Sequence, residues 1–306
     1  MMRHPESIRV FAPAKVNLAL HVTARRKDGY HLLDSVVAFA DVGDVLQARK
    51  ADGFRLELAG PEAGALSADA DNLVLKAAQA LNNAWPETFG GCHFRLEKHL
   101  PVASGIGGGS ADAAAALRAM IRLYGPPPVR EPDEALFQIA LEIGADVPVC
   151  LARHACRMRG IGEDIAPIAA FPELRGLLVN PRVAVSTAAV FSRLGLAPGG
   201  TGFPPLAEPL PEGNAETWLQ WLMKQRNDLQ SPACACAPEI AACLSLLKEL
   251  PDVRLVRMSG SGATCFALFD DEAAALRAVR MVQNRCPQWW VAPVRLGDAA
   301  KRERGT

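Results

Sequence analysis

The fold is decided by one stretch of the sequence, Pro101-Val102-Ala103-Ser104-Gly105-Ile106-Gly107-Gly108-Gly109-Ser110-Ala111-Asp112-Ala113-Ala114-Ala115-Ala116-Leu117. A predicted strand, 92–99, leads into it, and its alanine-rich half predicts a helix to about Leu123. Four glycines in five residues let the main chain bring its N–H groups close to a ligand, and a plain flexible turn needs no such run. Because a helix N-terminus attracts anions, we interpret 101–111 as a cradle for a polyphosphate.

Two common nucleotide-binding loops do not fit this stretch. A Walker loop ends in Gly-Lys-Ser or Gly-Lys-Thr, and the sequence contains no Gly-Lys pair. A dinucleotide-binding loop requires a third glycine where Ser110 stands. It also requires an acidic residue about 20 positions later, where the chain has Leu123-Tyr124-Gly125-Pro126. A dehydrogenase is therefore a distant alternative.

Length and charge limit the classes of protein that fit this chain. With 306 residues it is long for one core, and we expect two domains. Lysine plus arginine and aspartate plus glutamate both number 33, so nucleic acid is not expected as the main partner. No apolar run approaches the roughly 18 residues of a membrane helix. The start, Met1–Glu6, shows no apolar signal core, and we expect a cytoplasmic protein.

The eight cysteines include no Cys-x-x-Cys pair. Cys234 and Cys236 are the only close pair, and they lie among alanines beside a helical pattern. We expect buried, reduced thiols rather than a metal or redox site.

Strand-forming residues dominate the first half of the chain, whereas the second half alternates between strands and helices. Two strand-forming runs, 8–23 and 30–40, flank a charged turn whose Asp28-Gly29 pair is typical of a hairpin. The pattern predicts an α+β fold. Further strands are predicted at 45–59 (a short pair), 92–99, 156–168 (a hairpin), 176–181, 253–258, 264–269 and 289–295, and helices at 73–85, 110–123, 132–143, 214–225, 237–249 and 271–284.

The boundary between the two halves is expected near 170–175, which gives domains at 1–173 and 174–306. Segment 197–213 contains five prolines and four glycines. We interpret it as a mobile surface loop and not as a linker, because helix and strand patterns of one domain flank it.

Three motifs along the chain resemble those of one enzyme family. Ala12-Pro13-Ala14-Lys15-Val16-Asn17-Leu18 is similar to its first motif, 101–111 with the alanine-rich helix to its second, and Met258-Ser259-Gly260-Ser261-Gly262-Ala263-Thr264-Cys265 to its third. The family is that of the small-molecule kinases named after galactokinase, homoserine kinase, mevalonate kinase and phosphomevalonate kinase, the GHMP kinases. The resemblance implies a ribosomal-S5-like ATP-binding domain at 1–173 and a ferredoxin-like α/β domain at 174–306. It also implies ATP and Mg²⁺ as cofactors.

Further blocks resemble one branch of this family: Arg26-Lys27-Asp28-Gly29-Tyr30-His31-Leu32-Leu33-Asp34-Ser35, the triple glycine with the helix start, Gly144-Ala145-Asp146-Val147-Pro148 and Arg226-Asn227-Asp228-Leu229. The resemblance covers 8–270 and departs from the usual pattern at Ser104. It implies phosphorylation of the 2-hydroxyl of a cytidine diphosphate-linked methylerythritol in non-mevalonate isoprenoid precursor synthesis. The expected partner is this small molecule, without nucleic acid or membrane, and the expected assembly is a monomer or weak homodimer.

Two residues are expected at the reacting groups. Asp146 follows a predicted helix and precedes Val-Pro, and we interpret it as the general base that accepts the substrate hydroxyl proton. Its alternative role is a local turn cap. Lys15 is expected to offset charge around the transferred phosphoryl group, although a lysine on a strand is usually a solvated edge.

The nucleotide is expected along the glycine-rich stretch. Ser110 and the main chain of 101–111 are expected to hold the phosphates, and Ser110 is a candidate magnesium ligand. By resemblance, Asn72 and Lys98 lie on the adenosine side. Their ordinary interpretations are a helix cap and a strand-end charge.

By resemblance, the cytidine end of the substrate contacts Asn17, Tyr30, His31, Thr187 and Phe191. Tyr30 and Phe191 are expected as aromatic walls on the two faces of cytosine, and the other three as polar contacts. Without the resemblance, Tyr30 and His31 fit the end of a hairpin equally well.

Two other functions are alternatives. Another kinase of the same family, such as homoserine or mevalonate kinase, would not explain Asp28-Gly29-Tyr30-His31 or the extra glycine. A non-catalytic metabolite-binding protein on the same fold would be favoured by the loss of Lys15 or Asp146, and both residues are present.

Overall fold

The computed structural model describes residues 7–299, apart from the side chains of Ala65 and Pro132. Met1–Glu6, interpreted above as lacking a signal, lies outside the described residues. Contacts group the chain into two compact units. The first comprises the residues up to Ala14, Gly43–Val102 and Gly107–Ala152, and the second comprises Lys15–Val42, Ala103–Ile106 and the residues from Arg153 onward. The expected domain boundary at 173/174 stays a prediction.

Two long strands contribute residues to both units, β1 (Ser7–Arg25) and β2 (His31–Lys50). The first unit adds β3 (Arg55–Ala59), a 3₁₀ turn (Ala63–Ala65), α1 (Leu73–Ala84), β4 (Cys92–Glu97), α2 (Gly108–Tyr124), α3 (Pro132–Ile143) and α4 (Val147–Ala152). The end of β2 pairs antiparallel with β4, and β3 lies parallel to β4. Helix α2 packs against α1 and α4. Its alanine run, 113–116, is fully buried, which lets the helices approach closely.

The second unit contains β5 (Cys156–Gly160), β6 (Asp164–Pro167), β7 (Leu174–Asn180), β8 (Leu255–Met258), β9 (Cys265–Phe269) and β10 (Trp290–Gly297). β5 pairs with the first part of β2 and forms a hairpin with β6. β10 pairs with β2 at Phe39 and Ala40 and with β7 along its length. β9 lies between β7 and β8, and all these pairs are antiparallel.

Within the described residues, the second unit has five assigned helices: α5 (Thr187–Ser192), α6 (Ala215–Met223), α7 (Gln230–Cys236), α8 (Pro238–Lys248) and α9 (Glu272–Arg285). Side chains of α7, α8 and α9 share one hydrophobic core with alternate residues of β7 and β9. Because alternate strand residues point to one face, these helices pack on the same face of the sheet. The elements confirm the predicted α+β class.

Three helices that the sequence pattern does not predict are α4, α5 and α7. Each has only six or seven residues, too few to show a helical period. Helix α2 begins at Gly108, two residues before its predicted start. The short strand pair expected at 45–59 is instead the end of β2 followed by β3. Within 7–299, no helix has the length and hydropathy needed to cross a bilayer.

The proline- and glycine-rich segment 197–213 is fastened to the second unit over part of its length. Gly202 and Phe203 donate main-chain N–H groups to the carbonyls of Thr23 and Val22, at 2.9 and 2.8 Å. Leu206 N–H donates to the buried carboxylate of Asp34 at 3.0 Å. These bonds attach 202–206 to β1 and to Asp34 of β2, and Leu206 is buried, so the expectation of a surface loop is wrong at this residue. The expected mobility of the segment stays a prediction.

Candidate active site

The glycine-rich stretch connects β4 to α2. Helix α2 begins at Gly108, and Gly107 before it has a φ of 65°, in the left-handed region that favours glycine. The first N–H groups of a helix have no acceptor within the helix, so those of Gly108, Gly109 and Ser110 can donate to a ligand. The ligand favoured at this position is an anion.

Three successive carbonyls of the stretch, from Ser104 to Ile106, are bonded to protein. Residues 103–106 belong to the second unit, and so do all three donors. In chain order the donors are the N–H of Thr264 at 3.0 Å, the hydroxyl of Ser259 at 3.0 Å and the N–H of Lys15 at 2.9 Å. Because these oxygens already accept protein donors, the stretch does not direct them at an anionic ligand.

The third motif forms a turn at 259–262 that is held by Asn227. Asn227 Nδ2 donates to Met258 O at 2.8 Å and to Gly260 O at 2.9 Å, while its Oδ1 accepts the Leu229 N–H at 2.9 Å. The block Arg226-Asn227-Asp228-Leu229 therefore fixes the turn, and the turn contributes Ser259 to the glycine-rich stretch.

Lys15 and Asn17 lie on the buried part of β1. Lys15 is only 4% exposed, so the solvated-edge interpretation is wrong. Burial raises the pKa of the Cys156 thiol to about 12, and the charge of Lys15 acts against that rise. Asn17 donates its main-chain N–H to Ser259 Oγ at 3.1 Å and Nδ2 to Ser35 Oγ at 2.8 Å. Its Oδ1 is buried with no hydrogen-bond partner among residues 7–299, so it can accept from a ligand.

Asp146 belongs to the first unit and directly precedes α4. Its carbonyl accepts the N–H of Cys150 at 3.3 Å, inside the single turn of helix. Arg118, buried on α2, donates to the Cys150 carbonyl at 3.1 Å and to the Phe11 carbonyl at 2.9 Å. Because a cation stabilises the C-terminal carbonyls of a helix, Arg118 of α2 fixes the short helix that follows Asp146.

The two residues expected on the adenosine side have defined structural roles. Asn72 caps α1, because its Oδ1 accepts the Val74 N–H at 3.0 Å. Lys98 is 2% exposed, and its ammonium group contacts the carboxylates of Asp44 and Asp112, the latter at 2.7 Å. Both ordinary interpretations are confirmed in position, since Asn72 is the cap and Lys98 follows the end of β4, but Lys98 is buried and paired rather than exposed. Contact of either residue with adenosine stays a prediction.

Four of the residues expected around cytosine lie in the second unit with a defined geometry. His31 stacks on Phe191 with ring centroids 4.8 Å apart and an angle of 29° between the rings. Phe191 and Thr187 are four residues apart on α5, which places them on one helix face. Tyr30 is 61% exposed. Thus the ring that faces Phe191 is His31, and Tyr30 is open to solvent.

His31 has an unsatisfied ring nitrogen. Its Nε2 is buried and has no hydrogen-bond partner in the described part of the chain. Burial and then the charge of Arg25 lower the pKa of His31, so the ring is neutral at neutral pH. A neutral imidazole nitrogen donates or accepts according to its tautomer, which suits the polar edge of a base.

The residues that hold the site in place were given no role from the sequence: Asp44, Asp112, Arg118, Asn227 and Ser259. Three of them were quoted as parts of motifs without a role, Asp112, Asn227 and Ser259. For Asp112 and Arg118 the sequence does carry a usable signal, because they are the charged residues in the otherwise apolar run 111–120 of α2.

Two protein-family comparisons match the chain in separate regions. The GHMP kinases N terminal domain matches residues 72–154, and the GHMP kinases C terminal family matches residues 206–288. The first region contains the glycine-rich stretch and Asp146, and the second contains the turn at 259–262. The class that fold and motifs define is therefore an ATP-dependent kinase with the two-domain GHMP fold.

Relatives narrow the class to one enzyme family. The chain is 49% identical over 300 residues to 4-diphosphocytidyl-2-C-methyl-D-erythritol kinase of Roseobacter denitrificans, covering 97% of this chain and 96% of the relative. It is 47% identical to the same-named kinase of Paramagnetospirillum magneticum, covering 95% and 99%. A crystal structure of 4-(cytidine 5'-diphospho)-2C-methyl-D-erythritol kinase matches with a TM-score of 0.76 at 32% identity, over 95% of this chain and 99% of that one. The chain belongs to the family of 4-diphosphocytidyl-2-C-methyl-D-erythritol kinases.

Proposed function

We propose that this chain transfers the γ-phosphoryl group of ATP to the 2-hydroxyl of 4-diphosphocytidyl-2-C-methyl-D-erythritol, in the non-mevalonate route to isoprenoid precursors. The observation that carries the proposal is the geometry of the glycine-rich stretch. The N–H groups at the start of α2 are open to an anion, and the carbonyls of 104–106 are bonded to protein donors. The names of relatives at 47–49% identity support the choice of acceptor. The expected monomer or weak homodimer stays a prediction.

The stretch fits a triphosphate and Mg²⁺ by the chemistry of its donors. When bound, ATP supplies the phosphoryl group and Mg²⁺ neutralises part of the charge on its phosphates. The N–H groups of 108–110 would hold phosphate oxygens, and the Ser110 hydroxyl would hold the metal ion. No cluster of three His, Cys, Asp or Glu side chains able to hold a metal occurs in 7–299. Mg²⁺ usually keeps water and phosphate ligands, so one protein ligand is sufficient.

Asp146 and Lys15 would have separate roles, proton acceptance and stabilisation of negative charge. Asp146 would accept the proton of the attacking hydroxyl, and its backbone is fixed for this role through Cys150 and Arg118. Lys15, buried and cationic, would stabilise negative charge on the phosphoryl oxygens. Both roles need the side chains to be held rigidly, because a positioned group requires no rearrangement during the reaction.

The proposed function is tested by an acceptor panel. The full chain is incubated with ATP and Mg²⁺ and with the cytidine diphosphate-linked methylerythritol, homoserine, mevalonate or galactose, and ADP is measured. We expect turnover with the first acceptor alone and a new phosphomonoester in its ³¹P spectrum. Turnover with another member of the panel would show that the assigned acceptor is wrong. Nucleotide binding without turnover on any acceptor would favour the non-catalytic alternative.

Recognition of cytosine gives a prediction about Tyr30 and His31. Stacking on an aromatic side chain contributes about 1–3 kcal/mol per base, so Tyr30→Ala should raise the KM for the cytidine substrate by about tenfold and leave the KM for ATP unchanged. Discrimination between cytosine and uracil requires hydrogen bonds, which the buried His31 Nε2 is placed to supply. His31→Ala should therefore narrow the difference in kcat/KM between cytidine and uridine analogues, which we expect at about 1–3 kcal/mol in the unmutated enzyme.

A matched control for these variants is Phe203→Ala, which removes an aromatic side chain that is 40% exposed and has no assigned role. Its two KM values should stay as in the unmutated enzyme. Equal use of cytidine and uridine analogues by the unmutated enzyme would contradict the assignment. A Tyr30→Ala defect confined to ATP would place Tyr30 at the nucleotide end.

A further inference from the structure

A buried ionic cluster of Asp44, Lys98 and Asp112 lies in the first unit and has no part in the proposed chemistry. Its three residues are 0%, 2% and 3% exposed, and they come from β2, the chain after β4, and the first turns of α2. Lys98 Nζ contacts Oδ2 of both carboxylates. Such a cluster is rarely a source of net stability, since well-packed apolar side chains often do as well. The presence of this cluster beside the glycine-rich stretch therefore needs an explanation other than stability.

The cluster holds both arms of the glycine-rich stretch. We define the entry arm as 98–101 and the exit arm as 107–112, all in the first unit. Asp44 Oδ1 accepts the N–H groups of His99 and Leu100, at 2.6 and 2.9 Å, which fixes the entry arm. Asp112 lies on the exit arm and is joined to the entry arm through Lys98 at 2.7 Å.

Gly108 makes room for this connection at the start of the exit arm. A Cβ atom at Gly108 would lie 3.1 Å from Lys98 Nζ and 3.8 Å from Asp44 Oδ2. The ammonium group therefore lies directly beneath the helix start whose N–H groups face the proposed phosphates. A displacement of Lys98 would therefore shift Gly108 and its neighbours directly, because the ammonium group lies next to Gly108.

The charges of the cluster are consistent with a fixed connection. Burial alone would lower the pKa of Lys98, but the charges of Asp112 and Asp44 outweigh it and raise the pKa. Lys98 therefore stays cationic near neutral pH. Burial raises the pKa of Asp112, and the charge of Asp44 adds to the rise against the opposing effect of Lys98. Asp112 Oδ1 is buried without a hydrogen-bond partner in 7–299, so Asp112 makes its polar contact on the Lys98 side.

We propose that Asp44, Lys98 and Asp112 form a clamp that sets the distance and direction between the entry and exit arms, so that Asp44 and Asp112 are positioning residues for the phosphates of the nucleotide. The proposal rests on the proposed role of the stretch as a phosphate cradle. It assigns Lys98 an effect on the nucleotide through the loop rather than through contact of its ammonium group. Neither carboxylate touches the nucleotide, and both act through the main chain of the stretch.

The test is the variant Asp112→Asn in the full-length chain, which keeps the shape of the side chain and leaves the Lys98–Asp44 pair intact. Loss of residues that orient the ligands of a metal site typically costs about 10–100-fold in affinity, and we expect an effect of similar size for residues that orient a phosphate-binding loop. We expect the Kd of the non-hydrolysable analogue AMP-PNP and the KM for ATP each to rise by about tenfold, with the KM for the cytidine substrate unchanged. Asp52→Asn, which removes an exposed carboxylate between β2 and β3, is the matched control and should behave as the unmutated protein.

A purely structural cluster would give a different result. It would lower the melting temperature without separating the two KM values, and a folded Asp112→Asn protein with unchanged AMP-PNP affinity overturns the proposal. If Asp112→Asn does not fold, the variant Asp112→Leu replaces the second carboxylate by an apolar side chain of similar size and leaves Lys98 and Asp44 as one neutral ion pair. It should fold and show the same separation of KM values. Failure of both variants to fold would also overturn the proposal, because the cluster would then be required for the fold itself.

The two measurements separate the clamp from the proposed function. AMP-PNP titration needs no phosphoryl acceptor, so it reports on the clamp even if the acceptor panel selects another substrate. Weakened AMP-PNP binding together with turnover on a different acceptor would support the clamp and overturn the assigned acceptor. Normal turnover of the cytidine substrate by a folded Asp112→Asn variant with an unchanged KM for ATP would support the assigned acceptor and overturn the clamp.

Discussion

Asp146→Asn is expected to lower kcat by about 10²–10⁴-fold, the usual contribution of a positioned general base. The amide has nearly the same shape as the carboxylate but cannot accept the hydroxyl proton. The backbone that places Asp146 is held by Cys150 and, through it, by Arg118, and none of these contacts involves the carboxylate. AMP-PNP affinity should therefore stay unchanged, because the glycine-rich stretch is not altered. Single-turnover kinetics and AMP-PNP titration measure the two quantities separately.

The control for this variant is Glu142→Gln, which removes an exposed carboxylate from the last turn of α3, four residues earlier. It should leave kcat unchanged, because its side chain is solvated. An Asp146→Asn enzyme that retains kcat within a few-fold would remove Asp146 from the mechanism. A parallel loss of AMP-PNP binding would show instead that Asp146 supports the phosphate site.

The larger elements of the fold could be predicted from the sequence because they carry strong local signals. The Asp28-Gly29 turn lies between two long strands, and the alanine run of α2 is helical by propensity. The short helices α4, α5 and α7 give no such signal, since tertiary packing determines one- and two-turn helices. The attachment of 202–206 to β1 also could not be predicted from the sequence, because its main-chain bonds join residues far apart in the chain, Gly202 to Thr23 and Phe203 to Val22.

The residues of the candidate site also differ in whether the sequence could predict them. Residues inside contiguous motifs, such as 101–111 and Asp146, could be proposed from the sequence and the resemblance that it carries. The clamp could not, because Asp44 and Lys98 are separated by 54 residues and each looks like an ordinary surface charge. The stacking of His31 on Phe191 also joins distant residues. It places the neutral ring of His31 against Phe191, whose face was expected to be open to cytosine. Motifs thus give candidate residues for the chemistry, while the residues that position them emerge from tertiary contacts.

Gly105→Ala is expected to lower kcat/KM for ATP by about 100-fold, although it adds only one methyl group. Gly105 has a φ of 73°, in the left-handed region where alanine is strained. Its added Cβ would lie 2.6 Å from the carbonyl oxygens of both Ser259 and Gly262. These are main-chain atoms of the turn that Asn227 fixes, so they cannot move aside as a flexible side chain would.

The glycine-rich stretch must therefore shift away from the turn, which breaks the bond from Ser259 Oγ to Gly105 O. A displacement of about 1 Å at a positioning element can cost 10²-fold in rate, which sets the expected size of the effect. The control is Gly53→Ala, where an added Cβ meets nothing within 4 Å, and this variant should bind AMP-PNP normally. Circular dichroism establishes that both variants fold. A folded Gly105→Ala protein with unchanged AMP-PNP affinity would show that contact between the stretch and the turn is not needed to hold phosphate, and the cradle would then have to lie in the N-terminus of α2 alone.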